Sequence, residues 1–322
     1  MKNMRALIFA AGLGCVLAAT AVRGAPQEQV KPTGGELMKD ADGAGPKKFL
    51  PATKEEGEKA IAFFKKFAGE VEEQLKVKFG TIESPHFLIF TDWDTREYDF
   101  LKTNVEQAYS LVSRQFDIPV SQNVFIGKLP VFMIASQDDF KRFAREIDQS
   151  DAADNLAGYY MGNTKGFGHM VMWKPDLKKS NGNVHDAEKR WAYVLTHEFT
   201  HAFVARYRSN GFVPHWVNEG LAEVVADHQF PKSYTYAWAR DREKKRKSLS
   251  DLFEDKGMLP ADDYAVAQTM VETMLKENPK TFLKYFNDMK DGMKPDEALL
   301  KEYKVDRKGL EAAWRKYVTS TK

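Results

Sequence analysis

His197-Glu198-Phe199-Thr200-His201 is the stretch of this chain whose residue types and spacing can do chemistry. Trp191, Val194, Leu195, Phe199, Ala202 and Phe203 recur around it at the spacing of a buried amphipathic helix. One helical turn separates His197 from His201, so both imidazoles leave the same face and can grip a single metal ion. Glu198 stands beside them, close enough for its carboxylate to act on a metal-bound water. The chemistry this predicts is metal-assisted hydrolysis. With seven His and twenty-three Glu in 322 residues, a random chain would show the pattern about once in a hundred, so an accidental pair of core histidines is the weaker reading.

A catalytic zinc usually takes three protein ligands and keeps a fourth position for water, so a two-histidine helix needs another donor. Eighteen residues on, the chain reads His215-Trp216-Val217-Asn218-Glu219-Gly220-Leu221-Ala222-Glu223. Asn210-Gly211 is expected to end the first helix and Pro214 to resist helix before the second begins. Two helices joined by so short a link can pack side by side, which makes Glu219 the expected third ligand. Glu223, one turn further, would face the same way and orient a ligand imidazole.

His-Glu-x-x-His followed by Trp-Val-Asn-Glu-Gly-Leu-Ala-Glu resembles the gluzincin metallopeptidases, and the chain as a whole is most similar to small secreted bacterial domains of that kind. The resemblance is specific over residues 191 to 226. It implies His197, His201 and Glu219 as zinc ligands, Glu198 as general base, and Glu223 as support for a ligand histidine. It also implies a tyrosine or histidine that stabilises the oxyanion. Tyr264, which opens the helix after the ligand segment, is the preferred candidate, with Tyr285 and His228 behind it. Aminopeptidase branches of that clan carry a Gly-x-Met-Glu-Asn segment upstream, which this chain lacks. An endopeptidase acting on peptide or protein substrates is therefore expected over an exopeptidase. The competing reading is an exported binding or scaffold protein that keeps the fold without turnover, a role that would not need Glu198.

The elements that must position these residues begin after an export signal. Lys2 and Arg5 precede the apolar run Ala6 to Ala21, and small residues at Ala19, Ala21, Gly24 and Ala25 offer cleavage points. Residues 1–25 are read as this signal, too short for a confident membrane span, and the mature protein as secreted or periplasmic. Cys15, the only cysteine, lies inside the run without a good lipobox. Its removal would leave no thiol for disulfides or for zinc. Residues 26–50, rich in Pro, Gly, Lys and Asp, read as a flexible linker.

A helical segment follows over residues 51–80, with Ile61, Phe64, Ala68, Val71 and Leu75 in phase. A sheet-containing lobe is expected over 81–184. Its strands are His86–Phe90 and Pro130–Ala135, with a helix through Leu101 to Phe116 between them and another opened by Ser136. Gly158–Met161 and His169–Trp173 flank a Gly- and Asn-containing turn and read as an edge hairpin. The second of these strands is the expected shelf along which a peptide would lie, with an ordinary core hairpin as the equal alternative. Residues 185–322 hold the ligand helices and a helical C-terminal lobe. In that part Arg240 to Lys247 reads as a solvated charged face. The fold expected is α+β and gluzincin-like: a mixed sheet with helices on one side, the active-site helix between lobes, and helices to the end.

Composition narrows the function further. A hydrophobic fraction of 43% with 12% aromatic residues is that of a globular chain, large enough to bury a core without disulfides. A net charge of +2 offers no basic face for nucleic acid. His86 and His169 fall in strand-like runs and His185 in a polar stretch, so each is read as structural or exposed. His215 is close enough to the ligand segment to be a candidate cleft residue.

Overall fold

A computed structural model of the chain describes residues 45–150, 156–163, 165–174, 183–232, 234–254 and 259–321. The expected signal and most of the expected linker lie outside the described residues. Residues 45–50, the end of that linker, run antiparallel to 208–210. Lys48 bridges Ser209, Phe49 N donates to Arg208 O at 2.8 Å, and Lys47 N donates to Asn210 Oδ1 at 2.6 Å. Among the described residues no helix is long and apolar enough to cross a membrane.

Helix α1 (Lys54–Leu75) opens on a capping box in which Thr53 accepts from Glu56 N and Glu56 reaches back to Thr53 N. It buries Phe64, Ala68, Val71 and Leu75, one face of a 3.6-residue period. Five strands follow in the spatial order β1-β2-β3-β5-β4: β1 (Gly80–Glu83), β2 (Phe87–Thr91), β3 (Leu129–Ile134), β4 (Gly158–Gly162) and β5 (Gly168–Trp173). The β1–β2 and β4–β5 pairs are antiparallel, while β2–β3 and β3–β5 are parallel. Helix α2 (Tyr98–Gln115) links β2 to β3, and α3 (Gln137–Arg142), capped by Ser136, leads from β3 toward β4.

Two expectations need correction here. The sheet is covered on both faces. Phe87, Ile89, Val131, Met133, Met170 and Met172 face α2 and the metal-motif helix, whereas Leu88, Phe90, Phe132, Ile134 and Val171 face α1 and α3. Strands β2 and β3 are buried along their whole length, so their unbroken apolar runs reflect a sheet with no solvent face. Second, β5 is interior, paired to β3 on one side and β4 on the other. The free edge belongs to β4, so β5 cannot be the peptide shelf.

Helix α4 (Val184–Arg206) packs against α2, β4 and β5 and, on another side, against α5 (His215–Ala226). It stops earlier than expected. Tyr207 is already extended, Arg208 takes the left-handed conformation at φ 65°, and Asn210-Gly211 lie beyond the helix end. Gly211 is needed for another reason: a Cβ there would stand 2.3 Å from Lys290 O. The link from α4 to α5 is held by α9 (Pro279–Lys290). Tyr207 Oη donates to Asn287 at 2.8 Å, Arg208 Nε donates to Asp291 at 2.7 Å, and Ser209 Oγ donates to Lys290 O. Pro214 caps α5 as expected.

The remaining helices are α6 (Thr235–Lys245), α7 (Ser250–Phe253), α8 (Tyr264–Glu277), α10 (Pro295–Tyr303) and α11 (Arg307–Ser320). Their apolar faces share one core with α2, α4, α5 and the nearer face of the sheet. The charged run 240–247 does more than solvate a face. Arg242 and Arg246 grip buried Asp263 at 3.2 and 2.8 Å, and Glu243 pairs with Arg315 at 3.1 Å. These ion pairs fix the start of α8 and dock α11.

Lys290 is 2% exposed, with Nζ donating to Val204 O at 3.0 Å, and burial pushes its pKa down to about 8. A folded-state pKa below the ordinary lysine value means the fold favours the neutral amine. Stability should therefore climb as pH rises from about 8 toward 10.5, by up to about 3 kcal/mol. Urea unfolding of Lys290→Met across this range is expected to lack that climb, whatever the offset from losing the bond to Val204.

Candidate metal centre

The 3.6-residue period of α4 stacks His197 over His201, with ring centroids 4.8 Å apart. Their Nε2 atoms approach to 3.1 Å. From α5, Glu219 Oε2 comes to 3.3 Å from His197 Nε2 and 3.5 Å from His201 Nε2. Among the described residues these three form the one His/Cys/Asp/Glu group able to hold a metal ion. The spacing expected of Glu219 from the sequence is thus met.

Do these residues fit an ion? Donors around a tetrahedral ion of zinc's size, at about 2.0–2.2 Å from it, lie about 3.3–3.6 Å from one another. The 3.3 and 3.5 Å edges to Glu219 fall within that frame, and the 3.1 Å edge between the imidazoles is slightly short of it. Glu219 Oε2 is buried with no hydrogen-bond partner, a costly arrangement unless a cation occupies the space it faces. Charge points the same way. Glu198, Glu219 and Glu223 are all buried, and among the described residues the ammonium of Lys232, on Glu223, is the one lysine or arginine charge paired with them. With neutral imidazoles the cluster carries about two negative charges in excess, the complement of a divalent cation. The residues fit.

Of the three, His197 has a carboxylate at its far nitrogen. His197 Nδ1 lies 3.2 Å from Glu223 Oε1. The other oxygen, Glu223 Oε2, accepts from Tyr193 Oη and Lys232 Nζ, each at 2.5 Å. Lys232 in turn sits 4.2 Å over the Tyr193 ring. Glu223 thus lies beside the His197 ring. Tyr193 and Lys232 were not foreseen. The first stands one turn before His197, a spacing that could have revealed it, while Lys232 comes from the loop after α5 and carries no sequence signal. Burial opposes protonation of His197, but Glu219 and Glu223 outweigh it and push the ring up to about 10. Burial also opposes ionisation of Glu223, yet His197 and Lys232 hold it down at about 2.

Glu198 is 7% exposed, and the backbone of Tyr160 on the edge strand β4 acts on its carboxylate, favouring the ionised form. Burial pushes its pKa up. The Tyr264 phenol is buried, and its pKa is raised by that burial and by the charges of Glu219, Glu223 and Glu198. The other candidates stand apart. Tyr285 feels Asp296 and Arg307, His228 is exposed with Nδ1 3.1 Å from Val224 O, and His215 is exposed at the start of α5. His86 pairs with Glu106 at 2.6 Å and stacks on Tyr109, His169 pairs with Asp148 at 3.0 Å, and His185 is exposed.

Residues 182–320 match the family model of the Peptidase MA superfamily. The matched part, somewhat under half of the chain, holds α4, α5 and nearly everything after them, and the likeness is to a superfamily of peptidases. The mixed α+β architecture, with its five-stranded mixed sheet and many helices, is consistent with that fold. No curated protein matches the chain.

Two substitutions probe the frame. Glu223→Gln should weaken metal binding about 10- to 100-fold by freeing the His197 ring, as measured by competition with a chromogenic chelator. Gly220 allows α5 to lie against α8, since a Cβ there would meet Ala267 O at 2.4 Å. Gly220→Ala is expected to lower stability by about 1–3 kcal/mol in thermal unfolding and to weaken metal binding by shifting Glu219.

Proposed function

We propose that this protein is a secreted or periplasmic zinc-dependent metallopeptidase that cleaves within peptide or protein chains. The observation that carries the reading is the meeting of His197, His201 and Glu219 at one point with Glu198 beside them. When bound, a zinc ion would polarise the scissile carbonyl and make a water more acidic. The two imidazoles and Glu219 would hold the ion. Glu198 takes the proton of the attacking water and passes it to the departing amine, a double duty suited to a carboxyl raised by burial. Tyr264, kept protonated, donates to the oxyanion as it forms. The backbone of β4, the edge strand on the side of α4, offers a sheet edge along which an extended peptide can align. The lack of an amino-terminus-binding Gly-x-Met-Glu-Asn segment supports endopeptidase action. The export signal read over residues 1–25 supports the location.

The test joins metal analysis to cleavage of a mixed peptide library. Wild type and Glu198→Gln should each carry about one zinc per chain, while the variant loses about 10²-fold or more of the cleavage rate. His197→Ala should lose the zinc. Wild type that binds zinc yet cleaves nothing would move the protein to the scaffold reading. Wild type that binds no zinc would end the metal hypothesis.

A further inference from the structure

A cavity of about 200 Å³ opens among the C-terminal helices, away from the metal centre. Pro214, Trp216, Phe253, Tyr285 and Leu299 are buried residues that line it, and the exposed Phe212 lines it from outside. Phe212 is 55% exposed, unusual for so large an apolar side chain next to a preformed cup. The rim also carries the ion pair Arg307–Asp296, at 2.6 Å.

The geometry points to one occupant, the segment of this chain just before Gly45. The pairings of Lys47 with Asn210, Lys48 with Ser209 and Phe49 with Arg208 share one antiparallel register. Continued, that register sets Gly45 opposite Phe212, which lines the cavity. A second contact gives the same heading: Pro46 packs on Gly292, just before the rim residue Pro295. The chain therefore enters this part of the fold along the mouth of the cup.

Between Pro26 and Ala44, Leu37-Met38 is the only adjacent pair of large apolar residues. Seven extended residues reach about 23 Å, ample for this pair to come back to the cup. A cavity of about 150 Å³ accepts a benzene-sized group, so the space suits one large aliphatic side chain. Neighbouring side chains of an extended strand point opposite ways, so one of the pair enters while the other packs over Phe212. Glu36 and Asp40 flank the pair and complement Arg307, and Lys39 complements Asp296. We propose that Leu37-Met38 anchors the N-terminal segment in this aromatic cup, next to the root of α5. The proposal does not depend on the metal.

Hydrogen exchange on the chain from Pro26 onward tests it. Leu37→Glu/Met38→Glu is expected to speed exchange of amides in 212–217 and 297–301 by about tenfold or more relative to wild type, and Val30→Glu to leave them unchanged. This form has no cysteine, so Met38→Cys/Phe212→Cys provides a second measurement, with a high yield of intrachain disulfide expected on mild oxidation. Unchanged exchange in the double variant overturns the proposal. So does protection that grows with protein concentration, which would assign the cup to a second copy.

Discussion

The structure depends on bringing a carboxylate from one helix against two imidazoles from another without water to soften the encounter. Three buried glutamates set against one lysine and the imidazole of His197 each give up hydration that the protein only partly replaces. Glu223 is the best satisfied, with His197, Tyr193 and Lys232 around it. Glu219 is the least satisfied, and its bare oxygen faces both histidines. That asymmetry separates the residue that supports from the residue that would bind: one has spent its lone pairs on the protein, the other has kept one back.

The same constraint explains the helix packing. Glu219 reaches the histidines because α5 lies close along α8, and Gly220 is what lets the two backbones approach. The grip of Arg242 and Arg246 on Asp263 then fixes where α8 begins, and so where Tyr264 stands. A run of basic residues that looks like solvated surface in the sequence therefore sets the position of a phenol that feels the buried carboxylates.

Local spacing made much of this legible. The i, i+4 histidines, the helix after Pro214 and the succession of C-terminal helices each leave a periodic or capping signature, and the structure has them within a few residues. What escaped was set by long-range contact. The unbroken apolar runs of β2 and β3 told of burial, yet not that helices cover both faces. The order of β4 and β5 depends on which of them pairs with β3, which neither segment states alone. Lys232 is invisible for a similar reason, since its role exists only once the loop after α5 folds back over Tyr193. Asn210-Gly211 misled because a glycine that marks a helix end and one that admits a neighbouring backbone look the same in sequence.

The link between the ligand helices is fastened to α9 by Tyr207, Arg208 and Ser209 rather than to either helix it joins. The angle at which Glu219 meets the imidazoles is thus inherited from a third party, much as a vice holds two workpieces. An ion arriving there would find its coordination sphere already assembled, unlike the case of small zinc modules that collapse around their metal. Capture would therefore be governed by the electrostatics of entry more than by the cost of ordering the polypeptide.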